Sequence, residues 1–176
     1  MARPILQAGD PVLRQKAKKI KIFGPPVAAL VDNMLDSMHD ADGLGLAAPQ
    51  VGVPLRVIVI EMPRELDEEN NEIQPGDLYV YCNPEIVEAS GEEEDQEGCL
   101  SVVGYVGQVK RATSVTVKGE DIKGRRIRTK AKGLLARAFQ HEIDHLDGVL
   151  FIDRVDSPEK LRRIQPGEAN EDEYRS

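Results

Sequence analysis

The sequence of 176 residues contains no tryptophan, three phenylalanines and four tyrosines, and it has only two cysteines. Two cysteines cannot build a disulfide framework, so the sequence excludes a small disulfide-stabilised domain. The longest apolar stretch, Leu55–Ile60, contains Arg56 and is far too short for a transmembrane helix. Because 40% of the residues are hydrophobic, we expect a single domain with a real core.

The N-terminal residues 1–17 carry no recognisable targeting signal. They lack the long apolar segment of a signal peptide, and Asp10 and two prolines distinguish them from an Arg/Ser-rich transit peptide. The low cysteine content favours a reducing compartment. We therefore expect a cytoplasmic protein, and a mature organellar form stays open as the alternative.

The charge is distributed unevenly along the chain. The formal net charge of −8 argues against a general nucleic-acid or membrane-surface binder, because such proteins are basic. Three acidic segments, Glu61–Glu72, Glu92–Glu97 and Gln165–Ser176, together hold 15 acids and two bases. The rest of the chain holds 16 acids and 21 bases, so a mildly basic body remains. The acidic runs are most simply solvated loops.

Hydrophobic periodicity predicts two main helices. In the first, apolar residues recur at three- and four-residue spacing from Val27 to Met38. The second runs from about Leu134 to Leu146, with Gly148 at the place of a C-terminal cap. A last short helical stretch is expected at Glu159–Ile164.

Short strands are predicted between the two helices. They are β-branched or aromatic runs separated by Gly, Asn and Pro. These runs are Val57–Ile60, Tyr79–Tyr81, Ile86-Val87, Val102–Val109, Thr113–Val117 and Arg126–Thr129. Together, the helices and strands indicate a mixed α+β domain.

The strongest chemical signal is the run HEIDH at residues 141–145. On a helix, residues four apart lie one turn apart on the same face, so His141 and His145 can share one metal ion. Glu142 projects close to the same region, where it can handle protons at a metal-bound water. This spacing therefore predicts a metal site.

A catalytic divalent site usually has three protein ligands, so a third ligand is needed from elsewhere in the chain. His39 is one candidate, but the helix dipole explains a histidine in the last turn of a helix. Cys99 is the better candidate, and a Cys/His/His set suits Zn, Fe(II), Co or Ni. Cys82 lies in a strand pattern and is best explained as a small buried side chain.

A further cluster, GLGLAAPQ at 43–50, combines small residues with a terminal amide. Paired glycines and alanines allow another backbone to come close. Gln50 offers a neutral donor that can stabilise an oxyanion. The segment alone is a weak signal, because a loop packed against a strand has the same composition.

Taken together, GLGLAAPQ at 43–50, EGCLS at 97–101 and HEIDHLDG at 141–148 closely resemble the three signature motifs of peptide deformylase, in that family's order. The resemblance spans about residues 3–155. It implies an α+β fold in which short, mostly antiparallel strands pack around a central helix carrying the HExxH motif. It also implies a single catalytic domain over residues 1–164, followed by a flexible acidic tail, 165–176.

The resemblance implies a hydrolase that removes the formyl group from the N-terminal formyl-methionine of newly made peptides and releases formate. In this family a metal-bound hydroxide attacks the formyl carbon. Glu142 would be the general base and acid, and Gln50 and the backbone N–H of Leu100 would form the oxyanion hole. One divalent metal is expected, Fe(II) in the cell, with Zn, Ni or Co as alternatives. Its ligands would be Cys99, His141 and His145.

The same resemblance places the peptide beside the first motif as an added strand. The residues expected at the substrate are Gly43, Leu44, Gly45, Gly98, Leu134, Arg137 and Ala138, with His141 also in the methionine pocket. Arg137 stands where many relatives carry an apolar residue. Its aliphatic stem can line the pocket while its head reaches water, and an ordinary solvated helix charge is the alternative.

The implied partners are N-formylmethionyl peptides and, transiently, the ribosome, with no direct nucleic-acid function and no membrane. Some relatives dock on the ribosome through a basic C-terminal helix, but here the basic residues 160–163 are followed by acids. Two other functions stay open. One is an HExxH metalloprotease with Glu159 or Glu168 as the third ligand, and the other is a protein with a structural metal.

Overall fold

The computed structural model describes residues 1–63, 65–69, 72–74, 76–165 and 174–175. Within these residues there are two α-helices, α1 (Pro25–Asp40) and α2 (Gly133–Leu146). The strands in chain order are β1 (Gly45–Ala47), β2 (Val57–Glu61), β3 (Glu65–Leu66), β4 (Glu72–Gln74), β5 (Leu78–Ser90), β6 (Glu93–Cys99), β7 (Val102–Arg111), β8 (Ser114–Glu120), β9 (Arg126–Lys132), β10 (Leu161–Arg163) and β11 (Tyr174–Arg175). None of the helices described is both long and apolar enough to cross a membrane.

The larger sheet has five antiparallel strands in the order β1-β2-β5-β8-β9. Its strand β2 is a continuous apolar run because both of its faces are covered. Ile58 and Ile60 belong to the core cluster that includes α2, whereas Val57 and Val59 belong to the cluster that includes α1. The two helices therefore cover opposite faces of this sheet.

The smaller sheet has the order β10-β7-β6-β11, and its centre is the antiparallel β6–β7 hairpin. The expectation of a solvated loop at Glu92–Glu97 is wrong, because most of this run forms β6. Basic residues on β7 explain the difference: Glu93 lies opposite Arg111, and Glu94 lies opposite Lys110. Opposite charges on paired strands stabilise a strand that has little apolar character of its own.

Helix α2 lies between the two sheets. One side of it, including Phe139 and Leu146, packs against the five-stranded sheet. The side that carries His141 faces β6, and the ring of His141 stacks on Phe151, which belongs to the core cluster with Cys99. This arrangement confirms the predicted α+β fold with a central helix.

The N-terminal segment forms backbone hydrogen bonds to all three motifs. The backbone N–H of Leu6 donates to Gln50 O (2.8 Å), Ala8 donates to Ser101 O (2.7 Å) and Ala17 donates to Leu146 O (2.8 Å). The same segment passes so close to Gly148 that a Cβ atom there would lie 2.6 Å from the Arg14 carbonyl oxygen. Gly148 also has a φ of +75°, so this position requires glycine on both grounds.

The C-terminal part differs from its prediction. The expected helix Glu159–Ile164 is wrong: a single 3₁₀ turn, Pro158–Lys160, is followed by β10. This segment is extended because the edge of β7 offers it hydrogen-bond partners, with Leu161 opposite Gly107. The two residues of β11 pair in parallel with β6 at Glu97 and Gly98. The other residues of the predicted tail beyond 165 lie outside the described residues.

Candidate active site

Three side chains with metal-ligating atoms converge where α2 meets the end of β6. Helical geometry places His141 and His145 on one face of α2, and the last residue of β6 is Cys99. One ligand atom from each of the three residues lies within 4.8 Å of the other two, and all three side chains are buried. The Sγ atom of Cys99 is 3.5 Å from Nε2 of His145.

The electrostatic surroundings of His145 fit a metal site. Burial lowers the pKa of His145 well below its ordinary value, and the charges of His141 and Arg111 lower it further. A neutral imidazole is the form that binds a metal. Within the described residues, Nδ1 of His145 is buried and has no hydrogen-bond partner. A thiol and two imidazoles form a donor set for borderline divalent metals.

Glu97 orients the other imidazole. Its carboxylate is fully buried, and Oε1 accepts a 2.8 Å hydrogen bond from Nδ1 of His141. Arg111 binds the same carboxylate through two hydrogen bonds of 2.9 Å. Burial raises the pKa of Glu97, but the hydrogen bonds and charges of Arg111 and His141 outweigh it and hold the pKa well below its ordinary value. Glu97 is therefore an anion that fixes the ring of His141.

The pKa of His141 shifts in the opposite direction to that of His145. Burial lowers it, but hydrogen bonds with Cys99 and Glu97, together with nearby carboxylates, raise it to about 10. This direction favours the protonated ring. Because a ligating imidazole must be neutral at its binding nitrogen, a metal bound here would displace a proton.

Arg137 lies inside the protein rather than at its surface. Only 6% of it is exposed, and its guanidinium lies 2.6 Å from Oε2 of Glu97. It also donates to the backbone oxygens of Val109 and Glu93, both at 2.9 Å. Both earlier expectations for its head, contact with water and an ordinary solvated charge, are wrong. The β6–β7 hairpin covers α2 here and supplies these partners.

Gln50 points its amide toward the thiol. It is fully buried in a 3₁₀ turn, Ala48–Val51, and its Oε1 accepts from the backbone N–H of Ala47 at 2.9 Å. Its Nε2 donates to Ser101 Oγ at 3.0 Å and lies 3.8 Å from Cys99 Sγ. The oxygen is thus held by the backbone, and the donating nitrogen faces the centre.

The remaining predicted catalytic residues lie close by in the chain and the fold. Glu142 is fully buried on α2 between the two histidines in sequence. Leu100 follows Cys99 directly, and its carbonyl oxygen accepts a 2.9 Å hydrogen bond from Gln7. A Cβ atom on Gly43 would lie 2.6 Å from Leu100 Cδ1, so glycine there lets the first motif approach the second.

The residues predicted to bind the substrate fall into two groups. Leu44 and Gly45 lead into β1, an edge strand that pairs only with β2 among the described strands, and Gly98 lies in β6. Leu134 and Ala138 lie on α2, where Leu134 is 37% exposed and Ala138 is buried. Gly45 therefore lies on an edge strand, whereas Gly98 lies between β7 and β11, one residue before Cys99.

The side chains of His39 and Cys82 lie outside the cluster of Cys99, His141 and His145. His39 is exposed on α1 and pairs with Glu61 at 2.5 Å. Cys82 is fully buried in the core, where burial raises its pKa to about 11 and keeps the thiol protonated. Among the residues described, Cys99, His141 and His145 form the only cluster of three metal-ligating side chains.

Sequence reasoning missed Glu97 and Arg111 as parts of this centre. Glu97 stands inside the EGCLS run, two residues before Cys99, so its position was the available signal. Arg111 had no such signal, because it belongs to the next strand and reaches Glu97 only through the hairpin pairing. It also binds Asp144 at 2.6 Å and thereby links β7 to α2.

The chain is similar to proteins of one known family. The family model for polypeptide deformylase matches residues 2–161. A peptide deformylase from Thermomicrobium roseum is 48% identical over 169 residues, which are 96% of this chain and 94% of the relative.

Solved structures of the same family are similar as well. The crystal structure of a peptide deformylase from Legionella pneumophila is 44% identical, with a TM-score of 0.79 over 91% of this chain and 89% of that one. The peptide deformylase from Thermus thermophilus gives 42% identity and a TM-score of 0.79, also over 91% and 89%. The chain therefore belongs to the peptide deformylase family, the metal-dependent enzymes that remove the N-formyl group from nascent peptides.

Proposed function

We propose that Cys99, His141 and His145 hold the divalent metal on which this deformylation depends. The observation that carries the assignment is the convergence of one thiol and two imidazoles, all buried, within 4.8 Å. Cys99 lies in one motif and the two histidines lie in another. The two motifs come together because α2 packs against the end of β6. When bound, the metal supplies Lewis acidity and lowers the pKa of a water molecule.

Glu142 is proposed to move the protons. Its carboxylate accepts a proton from the attacking water and later delivers it to the departing amine, so that formate and a free N-terminal amine are formed. Its complete burial on the helix that carries both histidines supports this role.

Gln50 and the backbone N–H of Leu100 are proposed to stabilise the charge that develops on the formyl oxygen. Donors fixed in advance stabilise such charge without reorganising during the reaction. The bond from Ala47 to Oε1 of Gln50 supports this role, since it keeps Nε2 pointing toward Cys99. Leu100 is the residue next to that ligand.

The peptide is proposed to add as a strand beside Gly43, Leu44 and Gly45, with Gly98 on the other side. The edge position of β1 among the described strands supports this binding mode. Because β11 lies on the same edge of β6, pairing with Gly98 requires that Tyr174–Arg175 leave it. The methionine side chain is proposed to contact Leu134, Ala138, His141 and the buried stem of Arg137.

Four further assignments, of the metal, the compartment, the domain bounds and a partner, complete the proposal. Fe(II) is the proposed metal in the cell, with Zn, Ni or Co as substitutes, because the thiolate and imidazole donors suit all four. A thiolate ligand is sensitive to oxidation, which favours the reducing cytoplasm. The catalytic domain is proposed to be residues 1–164, with 165–176 as a flexible acidic tail. A transient association with the ribosome is proposed on the grounds that the substrate is a nascent peptide.

Formate release from formyl-Met-Ala-Ser, measured with protein purified without oxygen and analysed for metal, tests the assignments. We expect one divalent metal per chain and catalytic turnover. The variant Glu142→Gln should keep its metal but lose roughly 10²- to 10⁴-fold in kcat, because the proton acceptor is gone while the ligands remain.

Glu159→Gln is the matched control, because this glutamate is exposed and far from the cluster in sequence. It should keep full metal content and turnover, and loss of metal would instead support the metalloprotease ligand set. Full activity of Glu142→Gln would contradict the proton role. A wild type that holds metal but releases no formate would favour a structural metal.

A further inference from the structure

An open groove of about 1020 Å³ lies apart from the active site, and none of the proposed site residues lines it. Its walls come from the N-terminal segment at Lys16–Lys19, from the chain before β2, and from β5, β8 and β9. Six of the lining side chains are basic and three are acidic. These are Lys16, Lys19, Arg56, Lys118, Arg126 and Arg128, against Glu85, Glu120 and Asp147.

The acidic side chains of the groove already have partners. Asp147 binds Arg56 at 3.0 Å, and Glu85 lies 3.8 Å from Lys118. Glu120 accepts a hydrogen bond from Asn83. In the part of the chain that the structure describes, no ion pair within 4.0 Å involves the other four basic side chains, Lys16, Lys19, Arg126 and Arg128, although Glu120 lies opposite Arg126 on the paired strand. With six basic and three acidic side chains, the groove of this acidic protein carries a local surplus of positive charge.

Two of these cations, Arg126 and Arg128, belong to a row of basic side chains on the edge strand β9, and the row continues beyond the groove. The exposed residues of β9 alternate with residues that are buried or half-buried, of which Ile127 and Ala131 pack toward the core. Residues two apart on a strand are about 6.6 Å apart, so the row is roughly 20 Å long. The exposed members are Arg126, Arg128, Lys130 and Lys132.

Protection of the edge strand explains part of this pattern. Charged side chains on an edge strand prevent it from pairing with another sheet. That function does not require Lys16 and Lys19 on the opposite wall of a groove. It also does not require Lys118 directly beside Arg128, where two like charges on paired strands are destabilising. The convergence of these side chains on one cavity points to an anionic ligand.

We propose that this groove docks the sugar–phosphate backbone of RNA. A linear row of cations suits a linear polyanion better than a small anion, which needs donors that converge on one point. Among the described residues no aromatic side chain lines the groove, so base stacking is absent and binding is independent of sequence. The choice of RNA among polyanions rests on the proposed function, because nascent peptides emerge from an RNA-rich particle.

The test is fluorescence anisotropy of the full, metal-loaded chain with a labelled RNA duplex of about 20 base pairs. If about four phosphates are neutralised, a plot of the logarithm of the association constant against the logarithm of the salt concentration should have a slope of roughly −3 to −4. The double variant Arg126→Glu/Arg128→Glu should bind at least about tenfold more weakly at low salt, because two cations of the row become anions.

Arg162→Glu/Arg163→Glu is the matched control, since it changes the net charge equally at exposed residues of β10, outside the groove. It should weaken RNA binding less than about twofold. Equal weakening in both variants, or no binding by the wild type at low salt, would overturn the proposal. Tighter binding of poly-glutamate than of RNA, compared at equal concentrations of charge, would assign the groove to an acidic protein instead.

Formate release from formyl-Met-Ala-Ser separates this proposal from the proposed function. Both double variants should deformylate this short peptide at the wild-type rate, because neither touches the site. Normal formate release without RNA binding would refute the groove proposal alone. RNA binding without formate release in the wild type would refute the proposed site and leave the groove proposal standing.

Discussion

The two helices of this protein cover the same sheet but bury very different faces. Six residues of α1 are buried, and all but Ser37 are apolar. Nine residues of α2 are buried, and four of them are the polar or charged side chains of Arg137, His141, Glu142 and His145. Hydrophobic burial alone accounts for α1, because its amphipathic face meets an apolar sheet.

The polar face of α2 needs another explanation, because burying an ionisable group without a partner costs free energy. Glu97 is the partner of both Arg137 and His141, and a second arginine, Arg111, completes the cluster. The polar residues buried on α2 therefore mark the candidate active site, because hydrophobic packing does not explain their burial. Variants on the two helices test this distinction.

The largest expected effect is the loss of a proposed metal ligand from α2. His145→Ala should reduce bound metal to less than about a tenth of an equivalent and formate release at least about a thousandfold, since two ligands do not retain the metal. Metal analysis and the formate assay measure both quantities. His39→Ala on α1 is the matched histidine control and should change neither. A metal-replete His145→Ala variant would remove this residue from the ligand set.

A smaller effect is expected at the buried ion pairs that α2 forms with Glu97. Arg137→Met keeps much of the volume of the side chain but removes a cation from the buried carboxylate of Glu97. It should lower the free energy of unfolding by roughly 2 to 4 kcal/mol, measured by urea denaturation. Because Glu97 orients His141, metal affinity should also fall about 10- to 100-fold.

Met34→Ala on α1 is the control for that variant. Met34 is fully buried, and the cavity left by truncation should also cost roughly 2 to 4 kcal/mol. Its metal affinity should stay at the wild-type value, because no part of the ligand cluster is touched. Equal loss of metal affinity in both variants would mean that Arg137 acts only through overall stability.

The smallest effect is expected at the exposed ion pair of α1. His39 and Glu61 are 54% and 39% exposed, so solvent screens their attraction. His39→Asn should change the free energy of unfolding by less than about 1 kcal/mol. A loss of several kcal/mol in urea denaturation would show that exposure is a poor guide to the strength of ion pairs in this chain.

The sequence predicted the parts whose pattern is local. The periodicity of α1 and the apolar run of β2 were sufficient, because one helix face and one buried strand explain them. The histidine spacing on α2 likewise needed only helical geometry. Cys99 was the preferred third ligand on chemical grounds, and the structure brings it to the two histidines.

The parts that were missed depend on pairing between distant segments. Five acids in six residues gave no strand signal for β6, because its stability comes from the basic residues of β7. The burial of Arg137 was equally hidden, since its partners Glu93 and Glu97 lie 44 and 40 residues earlier in the chain. In both cases charge complementarity across the fold outweighed the local preference for water.

The N-terminal segment also has a consequence for how the protein folds. Its hydrogen bonds to Gln50, Ser101 and Leu146 join residues separated by increasing lengths of chain, the last by about 130 residues. Contacts this distant form only after the entropy of closing a long loop has been lost. During synthesis, the hydrogen bond from Ala17 must therefore wait until Leu146 in the last motif has been made. Of the three hydrogen bonds, the one that joins Ala17 to Leu146 is thus the last that synthesis makes possible.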